Sequence, residues 1–329
     1  MRTDLIPHLN MNTRPTYTRN YVSSRIDGGP RLVLGTSGLG GVWGPVNEDD
    51  SVNAILSALE NRVSSIDTAP SYANAEAIVG KALKQWKGVR PHLSTKVGRL
   101  KAYDAHTTQT DYTDGGIRRS LEQSLETLGV DFIDLLFLHE PHLVPKEEIP
   151  RILSRLLHYQ NKGLICKIGI GGNMPAYFRP FMGKGKFEAV SGFLRMNACN
   201  LDAFHDDTHF FSESSITYYN ASVLHFGLLG DKFSHYRNNF ERERDWLKES
   251  DIKAAERVEE ISRRCATSLS TLAFRYAISI EEADKIVIGA TKMIELKELL
   301  QAWKMGPLPL EIFEEITSAI AECAFVPST

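Results

Sequence analysis

The stretch Ser64-Ser65-Ile66-Asp67-Thr68-Ala69-Pro70-Ser71-Tyr72 decides how this chain reads. A short apolar and β-branched run ends in an acid, Pro70 signals a turn, and a tyrosine follows five residues past the acid. Ala75 to Leu83 then carries apolar residues at helical spacing. Asp67 therefore closes a strand, and Tyr72 stands on the loop into the next helix. In an α/β barrel that rim carries the chemistry.

Working outward, the same alternation repeats. A first strand is expected over 31–35, followed by the glycine-rich loop Thr36-Ser37-Gly38-Leu39-Gly40-Gly41. That loop reads either as a flexible turn or as backbone that must approach a ligand closely. A helix with Asn47 as N-cap runs to Asn61. The third strand, 92–96, ends on Lys96. A helix capped by Asp114 and closed by Gly129 leads to the fourth, 134–139, a near-continuous apolar run of the kind parallel sheets bury on both faces, ending on His139. Further strands are expected at 165–170, 188–194, 215–219 and 285–289. Helices are expected at 146–162, 251–266, 269–280, 293–304 and 309–324, with a long connection at 225–250. Eight alternations indicate a (β/α)8 barrel over 31–329, with 1–30 as a loose N-terminal extension. A doubly wound open sheet is the competitor. The polar residues favour the barrel: Asp67, Lys96, His139 and Asn173 each sit at or just past the C-terminal end of a different strand, and in a barrel these converge on one mouth.

The bulk properties fit one such domain. The chain has 329 residues, and a barrel of this kind takes about 250. A net charge of -3 argues against a nucleic-acid partner. No apolar run reaches a membrane span, and the first residues lack the apolar segment of a secretory signal; a cytoplasmic location is expected. Cys166, Cys199, Cys265 and Cys323 form no CxxC pair and read as buried free thiols. His205 and His209 could make a metal half-site but read as the polar face of one short helix. No metal is expected.

Taken singly, the rim residues are ordinary: a turn acid, a solvated lysine, a structural histidine, a loop aromatic. Together they suggest a proton-transfer group. Free tyrosine titrates near 10. A nearby Lys96 ammonium would stabilise the phenolate and lower that value, and Asp67 would keep Lys96 charged and placed. His139 can donate a hydrogen bond that orients a carbonyl oxygen. A carbonyl held between Tyr72 and His139 then has a proton source where negative charge develops. No thiol, activated serine or metal cage supplies a nucleophile, so a cofactor-borne hydride fits.

Several segments in order carry a resemblance: Gly35-Thr36; Asp67-Thr68-Ala69-x-x-Tyr72 with Glu76 and Gly80; Ser94 to Gly98; Leu138-His139; Ile168 to Asn173; Asn220 to Leu224; Gly227-Leu228-Leu229; and Val287 to Thr291. From about residue 31 to 304 the chain resembles the aldo-keto reductase superfamily, nearest in motif to its L-galactose, L-fucose and D-threo-aldose 1-dehydrogenase branch. The resemblance implies Asp67, Tyr72, Lys96 and His139 as the catalytic tetrad. It also implies a nicotinamide cofactor, NADP in preference with NAD possible, held by Gly35, Thr36, Asp67, Asn173, Ser222, Leu224, Gly227, Gly289, Ala290, Thr291 and Lys292. Lys292 suggests the 2′-phosphate; Glu295 opposes it. Trp43, His225 and Phe226 are expected in the pocket for a small carbonyl or sugar. Met196, Ala221 and Leu299 depart from the family pattern beside the cofactor. Two alternatives stand: a catalytically idle scaffold with a regulatory role, and a lyase using a Lys96 Schiff base, which the neighbouring Asp67 opposes.

Overall fold

The computed structural model describes residues 14–104 and 106–324. Its elements, in chain order, are β1 Leu32–Gly35, α1 Ser37–Gly40, α2 Glu48–Glu60, β2 Ser65–Asp67, α3 Ala75–Gln85, β3 His92–Val97, α4 Asp114–Leu128, β4 Ile133–His139, α5 Ile149–Asn161, β5 Ile165–Gly171, β6 Ala189–Phe193, α6 Asp202–Asp206, α7 Thr208–Glu213, β7 Thr217–Ala221, α8 Phe233–Asn238, α9 Phe240–Glu243, α10 Glu249–Arg264, α11 Leu269–Ser279, β8 Lys285–Gly289, α12 Met293–Met305 and α13 Leu310–Ala324. All eight strands are parallel. They pair in sequence order, and β1 closes on β8 from Leu32 opposite Ile286 to Gly35 opposite Gly289. The sheet is a closed barrel, and the open-sheet alternative is excluded.

Period-two alternation sorts each strand into two faces. Leu32, Leu34, Ile66, Leu136, Leu138, Ile286 and Ile288 belong to the large core between strands and helices. Val33, Leu135, Phe137, Ala189, Tyr219 and Val287 form a second, smaller core. Phe137 of β4 and Tyr219 of β7 are not on neighbouring strands, yet their rings meet edge to face at 5.5 Å; the second core is therefore the barrel lumen. The same parity turns Asp67, Lys96 and His139 inward.

Several local readings change. Thr113, not Asp114, caps α4, its Oγ1 accepting the Gly116 N–H at 3.0 Å. Asp114 instead pairs with Arg151 and Arg155. β7 begins two residues later than expected because Ser215 takes a left-handed turn (φ 55°) at the end of α7. His205 and His209 lie on separate helices, α6 and α7, divided at Asp207. Of the four cysteines only Cys199 is fully buried; Cys166 and Cys265 are exposed, on the protruding start of β5 and past the end of α10. The connection 225–250 contains α8 and α9.

The extension is loose neither at its centre nor at its end. Tyr17 bridges to Ile280 and donates from its hydroxyl to the Leu308 carbonyl at 2.8 Å. Asp27 pairs with Lys285 of β8 at 3.0 Å. Buried Arg31 donates to the carbonyls of Ile278, Ile280 and Ala283. These bonds tie 14–30 across the N-terminal end of the barrel, opposite the mouth; the first thirteen residues of the expected extension lie outside the described residues. No helix among the described residues is long and apolar enough to cross a membrane.

Candidate active site

At the C-terminal end of the barrel, three inward positions on consecutive strands meet the β2 loop. Lys96 Nζ donates to Asp67 Oδ2 at 2.7 Å and to the Thr68 carbonyl at 2.9 Å. The Lys96 ammonium stands 4.9 Å from the centre of the Tyr72 ring, and that ring meets His139 edge to face at 6.0 Å. The four side chains expected to act together are therefore in one place. Gly171 lies against this group: a Cβ there would crowd Phe137 Cβ at 3.1 Å and meet Lys96 Cδ at 3.4 Å, an ordinary contact distance.

Electrostatics assigns each group a state. Burial works against the Lys96 charge, but Asp67 and the Tyr72 phenol outweigh it and hold its pKa above the ordinary lysine range. Loss of solvent pushes the half-buried Tyr72 phenol up; Lys96 pulls it down but does not win, and Asp67 adds to the rise. The expected net lowering of Tyr72 by Lys96 is thus not met in the protein alone. His139 is held well below the ordinary histidine range by burial, reinforced by Lys96 and Arg99. It is neutral at physiological pH and presents one N–H.

A supporting shell, whose role the sequence did not reveal, surrounds these four. Ser94 Oγ donates to Asp67 Oδ1 at 2.7 Å. Ser94 and Lys96 are two apart on β3, so the same alternation that found the lysine could have found the serine. Thr36, fully buried, gives its N–H and its hydroxyl to the Asp67 carbonyl, both at 3.0 Å. Both of its donors are thus committed to the Asp67 carbonyl, and neighbouring Gly35 is buried as well. Tyr112 donates to the carbonyls of His139 and Glu140, at 2.8 and 3.1 Å, fixing the end of β4. Buried Glu76 accepts from Thr95 at 2.7 Å behind the site. The glycine-rich loop resolves into α1, and its close approaches are to protein: a Cβ on Gly40 would lie 2.2 Å from the Tyr72 carbonyl, and one on Gly38 2.4 Å from that of Ala290.

The other expected residues divide. Asn173 accepts the Phe193 N–H on Oδ1 at 2.9 Å, which leaves its amide Nδ2 as a donor at the rim. Ser222, Leu224 and Gly227 follow β7 in a strained run: Ser222, His225 and Phe226 have φ of 56, 50 and 52°. Non-glycine residues in such conformations cost about 1–3 kcal/mol each. Trp43, 53% exposed, meets Phe226 at 5.5 Å, so both stand at the mouth. His225 does not: it is 1% exposed and turned into the protein. At the end of β8, Gly289, Thr291 and Lys292 are exposed, but the Glu295 carboxylate already accepts the Thr291 N–H at 2.7 Å and the Lys292 N–H at 3.3 Å. Met196 is fully buried, and Leu299 packs on the core side of α12.

Residues 31–321 match the model of the Aldo/keto reductase family. Among curated proteins, the chain is 28% identical to D-arabinose 1-dehydrogenase of Saccharomyces cerevisiae, over 83% of each chain. It is 24% identical to L-galactose dehydrogenase of Arabidopsis thaliana over 82% of each, and 22% identical to D-threo-aldose 1-dehydrogenase of a Pseudomonas species over 91% of this chain and 95% of the relative. Among solved structures, the glycerol dehydrogenase of Gluconobacter oxydans superposes with a TM-score of 0.75 at 23% identity, covering 94% of this chain and 98% of that one. A barrel closed in sequence order, with Asp67, Lys96, Tyr72 and His139 gathered at its mouth, belongs to a chain whose length is matched almost throughout by one family model: this protein is a member of the aldo/keto reductase family, an oxidoreductase.

Proposed function

We propose that the chain oxidises an aldose hemiacetal at C1, or reduces an aldehyde or ketone, with Tyr72 as the proton-transferring group. The observation that carries this reading is the buried Asp67–Lys96 pair beside the Tyr72 ring, with His139 facing that ring. Before reaction Tyr72 keeps its proton, because desolvation holds it on the phenol. When negative charge develops on a carbonyl oxygen nearby, the proton moves from the Tyr72 hydroxyl, and the Lys96 ammonium stabilises the phenolate left behind. Asp67, held by Ser94 and Thr36, keeps Lys96 charged and placed. Neutral His139 directs its N–H at the same oxygen and orients it. In oxidation the phenolate accepts the proton. The sugar class is drawn from relatives named for D-arabinose, L-galactose and D-threo-aldoses. No observation in the site favours an idle scaffold.

A nicotinamide dinucleotide supplies or takes the hydride when bound. The rim fits such a group: the Asn173 amide N–H2 for the carboxamide, the Ser222–Gly227 loop for the diphosphate, and the open end of β8 for the adenosine. A Cβ on Gly289 would meet nothing within 4 Å, so that end of the trough is clear. The Glu295 carboxylate supports NAD over the NADP that Lys292 suggested. A 2′-phosphate brought to the Thr291 and Lys292 N–H groups meets an acid already bound there, whereas a ribose hydroxyl can donate to it. Like charges about 4 Å apart repel by about 1 kcal/mol in water and more at a protein surface. Glu295→Gln should therefore shift the NADPH-to-NADH affinity ratio about tenfold toward NADPH. Wild-type protein assayed with both cofactors against a panel of aldoses and simple aldehydes tests the whole reading. Absence of turnover with every member of the panel would defeat it.

A further inference from the structure

Beside the active site lies a buried polar cluster that the catalytic reading does not use. It joins the turn after β6, the loop after β7 and the first turn of α10. Asn197 is fixed by accepting the Cys199 N–H on Oδ1 at 3.0 Å and the Cys199 thiol on the same atom at 3.1 Å. Its Nδ2 therefore donates, and it faces His225 Nδ1 at 3.1 Å. That assigns the His225 proton to Nε2. Among the described residues Nε2 has no well-aligned hydrogen-bond acceptor, and it stands 3.5 Å from Asp251 Oδ2. Asp251 is itself 3% exposed, accepts Asn200 Nδ2 on Oδ1 at 3.1 Å, and takes the Lys248 N–H on Oδ2 at 3.3 Å. A fully enclosed imidazole thus stands with its Nε2 3.5 Å from a buried carboxylate on a different element, within ion-pair distance but without an aligned hydrogen bond.

What the imidazole holds is the strained loop. His225 lies between Ser222 and Gly227, and the left-handed residues Ser222, His225 and Phe226 are all in this run. While His225 turns inward, Phe226 turns to the mouth, where its ring meets Trp43 at 5.5 Å, Phe193 at 6.4 Å and Trp246 at 5.6 Å. Tyr236 donates to the Phe226 carbonyl at 3.2 Å from the far side. Three adverse backbone conformations must be held by contacts around them: buried Val223 and the bond from Tyr236 hold the run at two points, and His225 is its side chain buried in polar contacts.

We propose that the His225–Asp251 pair is a latch that holds the β7 loop in its cofactor-binding shape, making His225 a positioning residue for the dinucleotide diphosphate. This rests on the functional reading above. The latch pre-pays the ordering of the loop. Without it the competent loop is one of several conformers, and the apparent dissociation constant rises in inverse proportion to its population.

The test is a fluorescence titration of NADH and NADPH, with melting curves and steady-state kinetics on the same samples. His225→Ala should raise the cofactor Kd at least tenfold, while kcat at saturating cofactor falls less than threefold. Asp251→Asn should act in the same direction, and the double variant should be no worse than the more affected single one. His225→Gln, which keeps a donor toward Asp251, should recover most of the affinity. A residue with only a structural role would lower the melting temperature and leave Kd alone. Kd within twofold of wild type in folded His225→Ala and Asp251→Asn overturns the latch. If His225→Ala does not fold, Asp251→Asn and His225→Gln decide the matter by the same criterion. Wild-type protein that binds neither cofactor removes the functional reading and the latch together; normal wild-type binding with unaffected variants removes the latch alone.

Discussion

Replacing Tyr72 by phenylalanine removes one oxygen and leaves the ring in place against Lys96 and His139. The ring contacts at 4.9 and 6.0 Å persist, so the fold and the cofactor trough should be unaffected. The remaining groups are poor substitutes as acids. Lys96 is locked to Asp67 and the Thr68 carbonyl, with its pKa raised. His139 is neutral, its pKa held well below the usual range, so losing its one N–H proton would create an imidazolate. General acid–base catalysis is worth roughly 10²–10⁴ in rate, or about 3–5.5 kcal/mol of barrier at 1.36 kcal/mol per decade. Single-turnover reduction of an aldehyde at saturating cofactor should therefore slow at least a hundredfold in Tyr72→Phe, with cofactor Kd within about twofold. Lys96→Met is a less clean perturbation, because it strands Asp67 in a buried site at a cost of about 3–5 kcal/mol. It is best read in the Asp67→Asn background, where its rate loss should add little to that of Tyr72→Phe, since residues acting as a unit are not additive. A hydride-transfer rate in Tyr72→Phe within tenfold of wild type would show that the proton comes from elsewhere and would sink the assignment.

Two further expectations concern the far end of the barrel. Arg31, whose pKa burial lowers to about 10, remains cationic at neutral pH and serves three buried carbonyls. Arg31→Met leaves them unpaired at about 1–3 kcal/mol each, so chemical denaturation should show a loss of at least about 3 kcal/mol; a loss below about 1 kcal/mol would contradict the anchoring role. Asp284, fully buried, accepts the Tyr218 N–H at 2.9 Å and pairs with Arg25 at 3.2 Å, yet desolvation raises its pKa from 3.8 to about 6. The folded protein holds that proton more tightly than the unfolded chain does. The associated stability is complete below pH 4 and is lost as pH rises through 6, by about 3 kcal/mol at 1.36 kcal/mol per unit. Asp284→Asn should then gain on wild type in denaturation midpoint between pH 4.5 and 7.5, whereas a difference independent of pH would refute the shift.

The sequence by itself determined the barrel and the four side chains at its mouth. Strand ends are visible in a chain because an apolar run stops at a polar residue, as at Asp67, Lys96 and His139. Period-two alternation then assigns each of them a face without any knowledge of neighbours. Register between strands was not visible in that way, and β7 was misplaced by two residues because the turn at Ser215 depends on a backbone conformation that serine does not advertise. Only the tertiary structure decided the states of the groups. Tyr72 looks like a phenol lowered by an ammonium until the desolvation of the assembled mouth is counted, and that depends on every segment packed around it. His225 looked like a pocket residue because it sits beside Phe226. The left-handed conformations of both residues send one side chain to the mouth and the other to Asp251 on α10, and Glu295 likewise reaches back over a helix turn to the N–H groups that Lys292 seemed to offer a phosphate. These outcomes belong to tertiary structure for one physical reason. Burial, charge and hydrogen bonding act through distance in space, and in a closed barrel the partners that set a residue's chemistry come from strands and helices far from it along the chain.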